Sequence, residues 1–349
     1  MKDHLLIMRF SALGDVAMTV PVVYSLAQQY PDLRITVLSR SFARSFYENL
    51  APNVSFMEAD LKGENKGIRG LNRLFRRLKA KNFTHVADMH DVLRSKYLRL
   101  CFLFTPTKVR HINKHRREKR QLTAKENKNF QHIPTSFDNY NDVLKRLGYP
   151  VRLNFHSIFP PSGGDMSLLP TAIGPKKAEE RWIGIAPFAA HKGKILPLEK
   201  TEEIISELNK HDNLRIMLFS GGKEERKTVE DWCRRYACCT NASAQSASLM
   251  QELIVMSHLD VMMSMDSANM HLASLVGTPV VSIWGATHPA AGFMGWNQSI
   301  DNAIQLPMEC RPCSIYGNKP CLRGDYACLN NISAADIVSK IDEITRTRQ

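Results

Sequence analysis

The sequence predicts an α/β protein of two doubly wound parallel-sheet domains, and three observations carry the prediction. Its 349 residues exceed the roughly 100–200 that one domain uses. Short β-branched or apolar runs alternate with amphipathic stretches from end to end, the pattern of strand–helix–strand units that cover both faces of a parallel sheet. One Pro/Gly-rich stretch, Phe159-Pro-Pro-Ser-Gly-Gly-Asp165 and on to Pro175, interrupts the alternation near the middle. The domains are therefore placed at 1–165 and 166–333, followed by a C-terminal helix over 334–349 that can pack back on the N-terminal domain.

In the first half the strand candidates are Leu5–Phe10, Ile35–Ser39, Val54–Ala59, His85–Met89 and Lys108–Ile112, short runs bounded by polar, Gly or Pro punctuation. Helical spacing covers Val16–Gln29, Leu71–Lys81 and Ser136–Leu147. In the second half Trp182–Ala186, Arg215–Ser220, Leu259–Ser264 and Pro279–Trp284 alternate with helical stretches at Leu198–Asn209, Lys223–Cys233, Ser246–Met256 and Asn269–Val276, and Ala334–Arg346 closes the series. Lys108–Lys128 departs from the alternation: nine Lys/Arg stand against Glu118 and Glu126, with almost no apolar residue after Ile112, so a mobile basic loop is expected. In doubly wound sheets ligands bind beyond the carboxyl ends of the strands, so the chemistry is sought in the loops that follow them.

Composition is that of a globular protein, 44% hydrophobic and 23% charged, which excludes disordered and collagenous classes. The longest apolar stretches, Tyr97–Phe104 with its interrupting Arg99 and Pro279–Ala286, fall short of the roughly 18–20 residues of a membrane-spanning helix. The opening MKDHLLIMRF lacks a signal-peptide apolar region and cleavage site, so a cytoplasmic protein is expected, with its cysteines as thiols or metal ligands rather than disulfides. Of the net charge of +13, residues 1–152 hold 28 Lys/Arg against 13 Asp/Glu, and residues 153–349 hold 19 against 21. A basic half of this kind attracts an anionic partner. Nucleic acid is not expected, because Lys108–Lys128 contains no Phe, Tyr or Trp on which bases could stack.

Four segments carry chemistry. Arg9-Phe-Ser-Ala-Leu-Gly-Asp-Val16 joins the first strand to a helix; Ser11, Ala12 and Gly14 permit a tight turn, and Asp15 stands at the helix start as either a cap or a functional carboxylate. Neither GxGxxG nor GxxxxGK[ST] occurs, so a phosphate must be held another way. Ser264–Val280 supplies one: a strand ends, a helix starts near Ser267, and its N–H groups and dipole face an anion, while Asp266 suits a hydroxyl or amine and His271 lies one turn in. Lys192 and Lys194 in the loop Pro187–Pro197 suit a diphosphate, and in Ser220–Glu225 two glycines allow backbone approach while Glu224 or Glu225 suits a ribose diol. Separately, Cys310, Cys313, Cys321 and Cys328 are a candidate structural-zinc set, a disulfide source or plain thiols.

Together these motifs resemble glycosyltransferase family 9, the ADP-heptose:lipopolysaccharide heptosyltransferases, over nearly the whole chain. The resemblance rests on RFSALGDVAMTVP at Arg9–Pro21, ADMHDVLRS at Ala87–Ser95, KILP at Lys194–Pro197, SGGKEE at Ser220–Glu225 and DSANMHLASLVGTPVVSIWGATHP at Asp266–Pro289. It implies a GT-B fold, two Rossmann-like domains facing across a cleft, with acceptor on the N-terminal domain and nucleotide-sugar on the C-terminal one. It further implies an inverting, metal-independent transfer of heptose from ADP-heptose to an anionic inner-core acceptor, with Asp15 as general base and Lys194 stabilising the departing diphosphate. Donor contacts would come from Lys192, Gly222, Glu224, Glu225, Asp266, Ser267, Ala268, Asn269, His271 and Thr287, and acceptor contacts from Ser11, Gly14, Asp88, Arg94, Lys114, Arg116, Arg117 and Arg120. The ADP-sugar is a co-substrate, no further cofactor or catalytic metal is expected, and a lipid A–sugar acceptor would place the enzyme peripherally at the inner face of the inner membrane. Leu196 stands where the family commonly has Trp. The alternatives are another nucleotide-sugar or surface-glycan acceptor on the same fold and, more remotely and from a different class, a non-catalytic binder of anionic ligands or nucleic acid.

Overall fold

The computed structural model describes residues 2–346, which form two compact units: 2–114 with Pro134–Ile158, and His115–Ile133 with 159–346. In the first unit β1 (His4–Met8), β2 (Arg34–Ser39), β3 (Val54–Glu58), β4 (His85–Asp88) and β5 (Lys108–His111) make a parallel sheet of order β3-β2-β1-β4-β5. Strand β1 is buried along its whole length and pairs Met8 with Leu38 on one side and Asp88 on the other. The strand order reverses between β1 and β4, so the loops leaving these two strands diverge and open a crevice at their carboxyl ends. Helices Gly67–Lys79 and Leu93–Phe102 cover one face through Leu71, Leu74, Leu78, Leu98 and Phe102. Helix Ser136–Leu147 begins at a reciprocal cap, Thr135 with Asp138, and stops at Gly148, whose φ of 101° suits a residue without Cβ.

The second unit holds β6 (Arg181–Ala186), β7 (Leu214–Leu218), β8 (Cys239–Asn241), β9 (Val261–Met265), β10 (Val280–Ile283) and β11 (Ala303–Ile304), all parallel, in the order β11-β10-β9-β6-β7-β8. Here the reversal lies between β6 and β9. The C-terminal helix Ala334–Arg346 inserts Ile337, Ile341 and Ile344 among Ile183, Val281 and Ile283, each isoleucine gaining roughly 1.5–3 kcal/mol by burial. It is therefore part of the second unit's core; residues 347–349 of the expected helix lie outside the described residues.

Other differences have local causes. The units part after Ile158 rather than after Asp165. Pro21 sits in the first turn of Val20–Gln29, so the expected helix Val16–Gln29 is two helices, Leu13–Ala17 and Val20–Gln29. Strands β8 and β11 are too short, three and two residues, to leave a pattern. Strand candidate Lys108–Ile112 forms β5, but the mobile loop expected on to Lys128 is instead helix Arg116–Leu122 and an ordered run to Ile133 built into the second unit. Lys128 Nζ donates to the carbonyls of Glu309 (2.9 Å) and Arg311 (3.1 Å), Ile133 N–H donates to Ala290 O, and Leu122 and Ile133 pack with Ala291. Among the described residues no helix is long and apolar enough to cross a membrane.

Candidate functional site

At the first reversal point the chain leaves β1 through Arg9-Phe-Ser-Ala and enters helix Leu13–Ala17, with a cis peptide between Ser11 and Ala12. Asp15 is the third residue of that helix; its Oδ2 accepts from Ala12 N–H (3.1 Å) and pairs with Arg9 Nη2 (2.7 Å), and the side chain stays 31% exposed. Arg9 itself is buried, donates from Nη1 to Met89 O (2.7 Å) and lies over the Tyr140 ring. Burial opposes the guanidinium charge, but Tyr140, Asp15 and Asp88 outweigh it and push its pKa above the usual arginine value. Tyr140 O–H donates to the Asp15 carbonyl (3.2 Å), fixing the turn from below. The cap reading and the functional reading of Asp15 thus describe one side chain: a carboxylate anchored by a buried cation with part of its surface open.

The loop after β4 brings His90 to this point. Its Nδ1 accepts from Phe10 N–H (3.4 Å) and its Nε2 lies 3.4 Å from Ser11 Oγ. Burial, then Arg9 and Lys114, push its pKa down to about 3, so it is a neutral imidazole at ordinary pH. An unfolded histidine titrates near 6.5, so below that pH the unfolded chain takes up a proton that folded His90 refuses. The stability contributed by neutral His90 is full above about pH 6.5 and is lost as pH falls toward 3, on the order of a few kcal/mol in total. The thermal midpoint is therefore expected to fall from about pH 7 to about pH 4, and His90→Asn to flatten that slope; parallel curves for the two proteins would place the acid-sensitive group elsewhere.

Of the acceptor candidates, Ser11 meets His90 and Gly14 is buried in the first helix. Asp88 is fully buried and committed: Oδ1 accepts from the amides of His90 and Asp91, and Oδ2 pairs with Arg99 at 3.2 Å. Its role is to shape the loop that carries His90. Arg94 is exposed and, with Ser11, Arg40, Lys62, His90 and Leu93, lines a cavity of 510 Å³ beside this point. Lys114 Nζ donates to Asp91 O (3.0 Å) in the same unit, whereas Arg116, Arg117 and Arg120 stand exposed on a helix of the second unit.

At the second reversal point the loop after β6 turns through Lys192–Lys194 and the chain leaves β9 at Asp266. Lys194 Nζ and Asp266 Oδ2 pair at 2.9 Å, with side-chain exposures of 16% and 4%. The turn is held by Ala286 N–H donating to Gly193 O (2.8 Å), an approach only glycines allow: a Cβ on Gly193 would lie 2.8 Å from Gly317 O, and one on Gly285 would lie 2.7 Å from Gly193 O. Lys192 Nζ sits 4.9 Å from the centre of the Tyr326 ring. Helix Ala268–Leu275 starts beside Asp266: Ser267 precedes it, 3.3 Å from Ser264 Oγ, half-buried Ala268 and Asn269 form its first turn, and His271 is buried one turn in. Thr287, beyond β10, is 1% exposed, and its Oγ1 has no hydrogen-bond partner among the described residues; the same holds for Ser220 Oγ beyond β7. Gly222 precedes helix Lys223–Arg235, and Glu225 turns back to accept from Gly221 (2.6 Å) and Gly222 (3.2 Å), while exposed Glu224 pairs with Lys227. Leu196 is fully buried in the core, so the departure from Trp concerns packing behind the turn.

Arg311 was not marked by any motif, yet it is 5% exposed and its guanidinium donates to the carbonyls of Trp284, Gly285, Thr287 and Leu306, bracing the loop after β10. The four C-terminal cysteines are free thiols lining one small cavity, and no group of three or more His, Cys, Asp or Glu is gathered as a metal site among the described residues.

The family model described as glycosyltransferase family 9 (heptosyltransferase) matches residues 71–320. Lipopolysaccharide core heptosyltransferase OpsX of Haemophilus influenzae is 24% identical over 315 residues, covering 87% of this chain and 85% of that protein. Among solved structures, the glycosyl transferase family 9 protein of Veillonella parvula superposes with a TM-score of 0.74 at 19% identity, covering 99% of this chain and 98% of its own. The E. coli heptosyltransferase WaaC with ADP gives 0.67 at 18% identity, covering 98% and 99%. These likenesses establish the fold class, GT-B, with two Rossmann-like units.

Proposed function

Because the chain belongs to glycosyltransferase family 9, we propose that it transfers heptose from ADP-heptose to an anionic lipopolysaccharide inner-core acceptor, inverting the anomeric centre without a divalent metal. The observation that carries the donor half is the Lys194–Asp266 pair at the second reversal point, with the unpartnered Thr287 hydroxyl and the start of helix Ala268–Leu275 beside it. A diphosphate there meets a cation and helix N–H groups, while Asp266 is left to accept from sugar hydroxyls. The helix cap by Glu225 leaves Glu224 as the better ribose candidate.

Asp15 serves as general base. Its carboxylate, held beside Arg9, takes the acceptor hydroxyl proton as the new C–O bond forms at the anomeric carbon and the sugar–phosphate bond breaks. The negative charge that develops on the leaving diphosphate is met by Lys194 and Thr287 O–H. Neutral His90 offers the acceptor a hydrogen bond without competing for its proton. An acceptor joined to lipid puts the enzyme, which acts from the cytoplasm, at the inner face of the inner membrane.

Titration calorimetry without metal, with ADP, UDP, GDP and CMP in parallel, tests the reading. Selective ADP binding, weakened in Lys194→Ala, is the expected result. Preference for another nucleotide moves the activity to another donor sugar, and binding of none of them overturns the proposal.

A further inference from the structure

We propose that the outer faces of helices Gly67–Lys79 and Leu93–Phe102, with the turn Leu103–Phe104 that follows, form a docking surface for an anionic lipid bilayer. Single apolar side chains on a surface are ordinary; a cluster is not. Five of the ten exposed large apolar side chains among the described residues fall between 68 and 104: Ile68, Leu93, Leu100, Leu103 and Phe104. Leu93, Leu100 and Leu103 or Phe104 recur at helical spacing on one face, while Ser95, Leu98 and Phe102 on the other face are buried in the core. The helix is thus apolar on its inner and its outer side, and the outer stripe ends in Phe104, 86% exposed.

The neighbouring helix supplies the charge. Arg69, Arg73, Arg76, Arg77 and Lys79 are all exposed on Gly67–Lys79. The two helices are fixed side by side, because Tyr97 O–H donates to Asn72 Oδ1 (2.6 Å) and the Phe75 and Phe102 rings meet edge-on at 5.1 Å. Residues 62–110 hold 13 Lys/Arg against only Glu64, Asp88 and Asp91, so ten of the net +13 charges of the chain arise in this segment. Asp88 is buried against Arg99 and Asp91 pairs with Arg99 at 3.3 Å, which leaves Glu64 as the acidic group on the helix face, 3.8 Å from both Arg73 and Arg77.

Cations beside inserted apolar side chains are the two signals that hold a protein at the headgroup level of an acidic membrane. A soluble polyanion has no use for the Leu100–Phe104 stripe, and a second copy of the same +10 segment would be repelled. The proposal rests on the lipid-linked acceptor for its purpose, but it is read without turnover.

The test is co-sedimentation of the full chain with vesicles of phosphatidylcholine alone and of phosphatidylcholine mixed with phosphatidylglycerol. Binding is expected to the mixed vesicles only, weakened at least about tenfold by Leu100→Ser/Leu103→Ser/Phe104→Ser together and by Arg73→Glu/Arg76→Glu/Arg77→Glu together. Unchanged ADP affinity shows that both variants are folded. No sedimentation of the unaltered protein, equal sedimentation with both vesicles, or wild-type binding by the serine variant overturns the proposal. So does a dimer in analytical ultracentrifugation that the serine variant turns into a monomer, since the stripe is then an interface between copies. Failure of ADP binding in the unaltered protein would sink the donor assignment and leave the vesicle result standing.

Discussion

Asp15→Asn is expected to lower kcat by roughly 10³-fold, within the 10²–10⁴ that a positioned general base contributes, while ADP affinity stays within about twofold. Asparagine keeps the volume of the side chain and can still accept from Ala12 N–H, so the helix start survives. What it lacks is the charge that takes a proton and the charge that faces Arg9 at 2.7 Å. The second loss leaves a buried guanidinium with weaker compensation, and a fall in thermal midpoint accompanies the kinetic one. The two effects separate cleanly. Loss of a helix cap costs about 1 kcal/mol of stability and leaves kcat of the folded fraction intact. A protein that binds ADP normally and does not turn over therefore identifies Asp15 as the base, whereas equal loss of binding and turnover would reduce it to an anchor for the turn.

Lys194→Ala is expected to weaken ADP binding and kcat together, by about 10²-fold each, as removal of one preorganised charge donor does at other transferring centres. The side chain has two duties in this structure. It compensates Asp266, which is 4% exposed, and in the proposed reaction it meets the charge of the departing diphosphate. Truncation leaves a buried carboxylate pointing at an incoming anion, and breaking such a pair costs about 3–5 kcal/mol of stability. The double variant Lys194→Ala/Asp266→Asn removes the orphaned charge and is expected to regain most of the lost thermal stability. Turnover should stay low in it. If turnover returns as well, the only task of Lys194 is to neutralise Asp266, and the diphosphate is held by the helix start and hydroxyls alone.

The loops that leave β1 and β9 were legible from residue order. Each needs a strand end, small residues and a charged residue within a few positions, and Arg9–Asp15 and Ser264–Asp266 provide that locally. What holds those residues was not legible. Arg9 reads as an ordinary charge at the end of a strand, and only the fold puts Met89 and Tyr140 around it. Arg311 follows a cysteine in a stretch without periodicity, and its carbonyl partners at 284, 285 and 287 become neighbours only once β10 is in place. Asp88 is a different case: an acidic residue in a recognisable motif invites a binding role, and only the fold shows its oxygens engaged by the turn and by Arg99. The basic run at 108–128 misled because composition records charge and not its partner; Lys128 is satisfied by main-chain carbonyls that lie far along the chain.

That excursion also sets an order of events during synthesis. Residues 115–133 are made between two stretches of the first unit but find their place only with the second, and Lys128 waits for Arg311, 183 residues downstream. At ribosomal speeds the interval is roughly ten to forty seconds, far longer than a Rossmann-like unit needs to collapse. The first unit must therefore fold around a looped-out segment whose Leu122 and Ile133 have no cover until Ala291 emerges. A nascent chain arrested between residues 160 and 290 presents those side chains to chaperones, and a fragment cut at the 158–159 junction keeps them exposed for good.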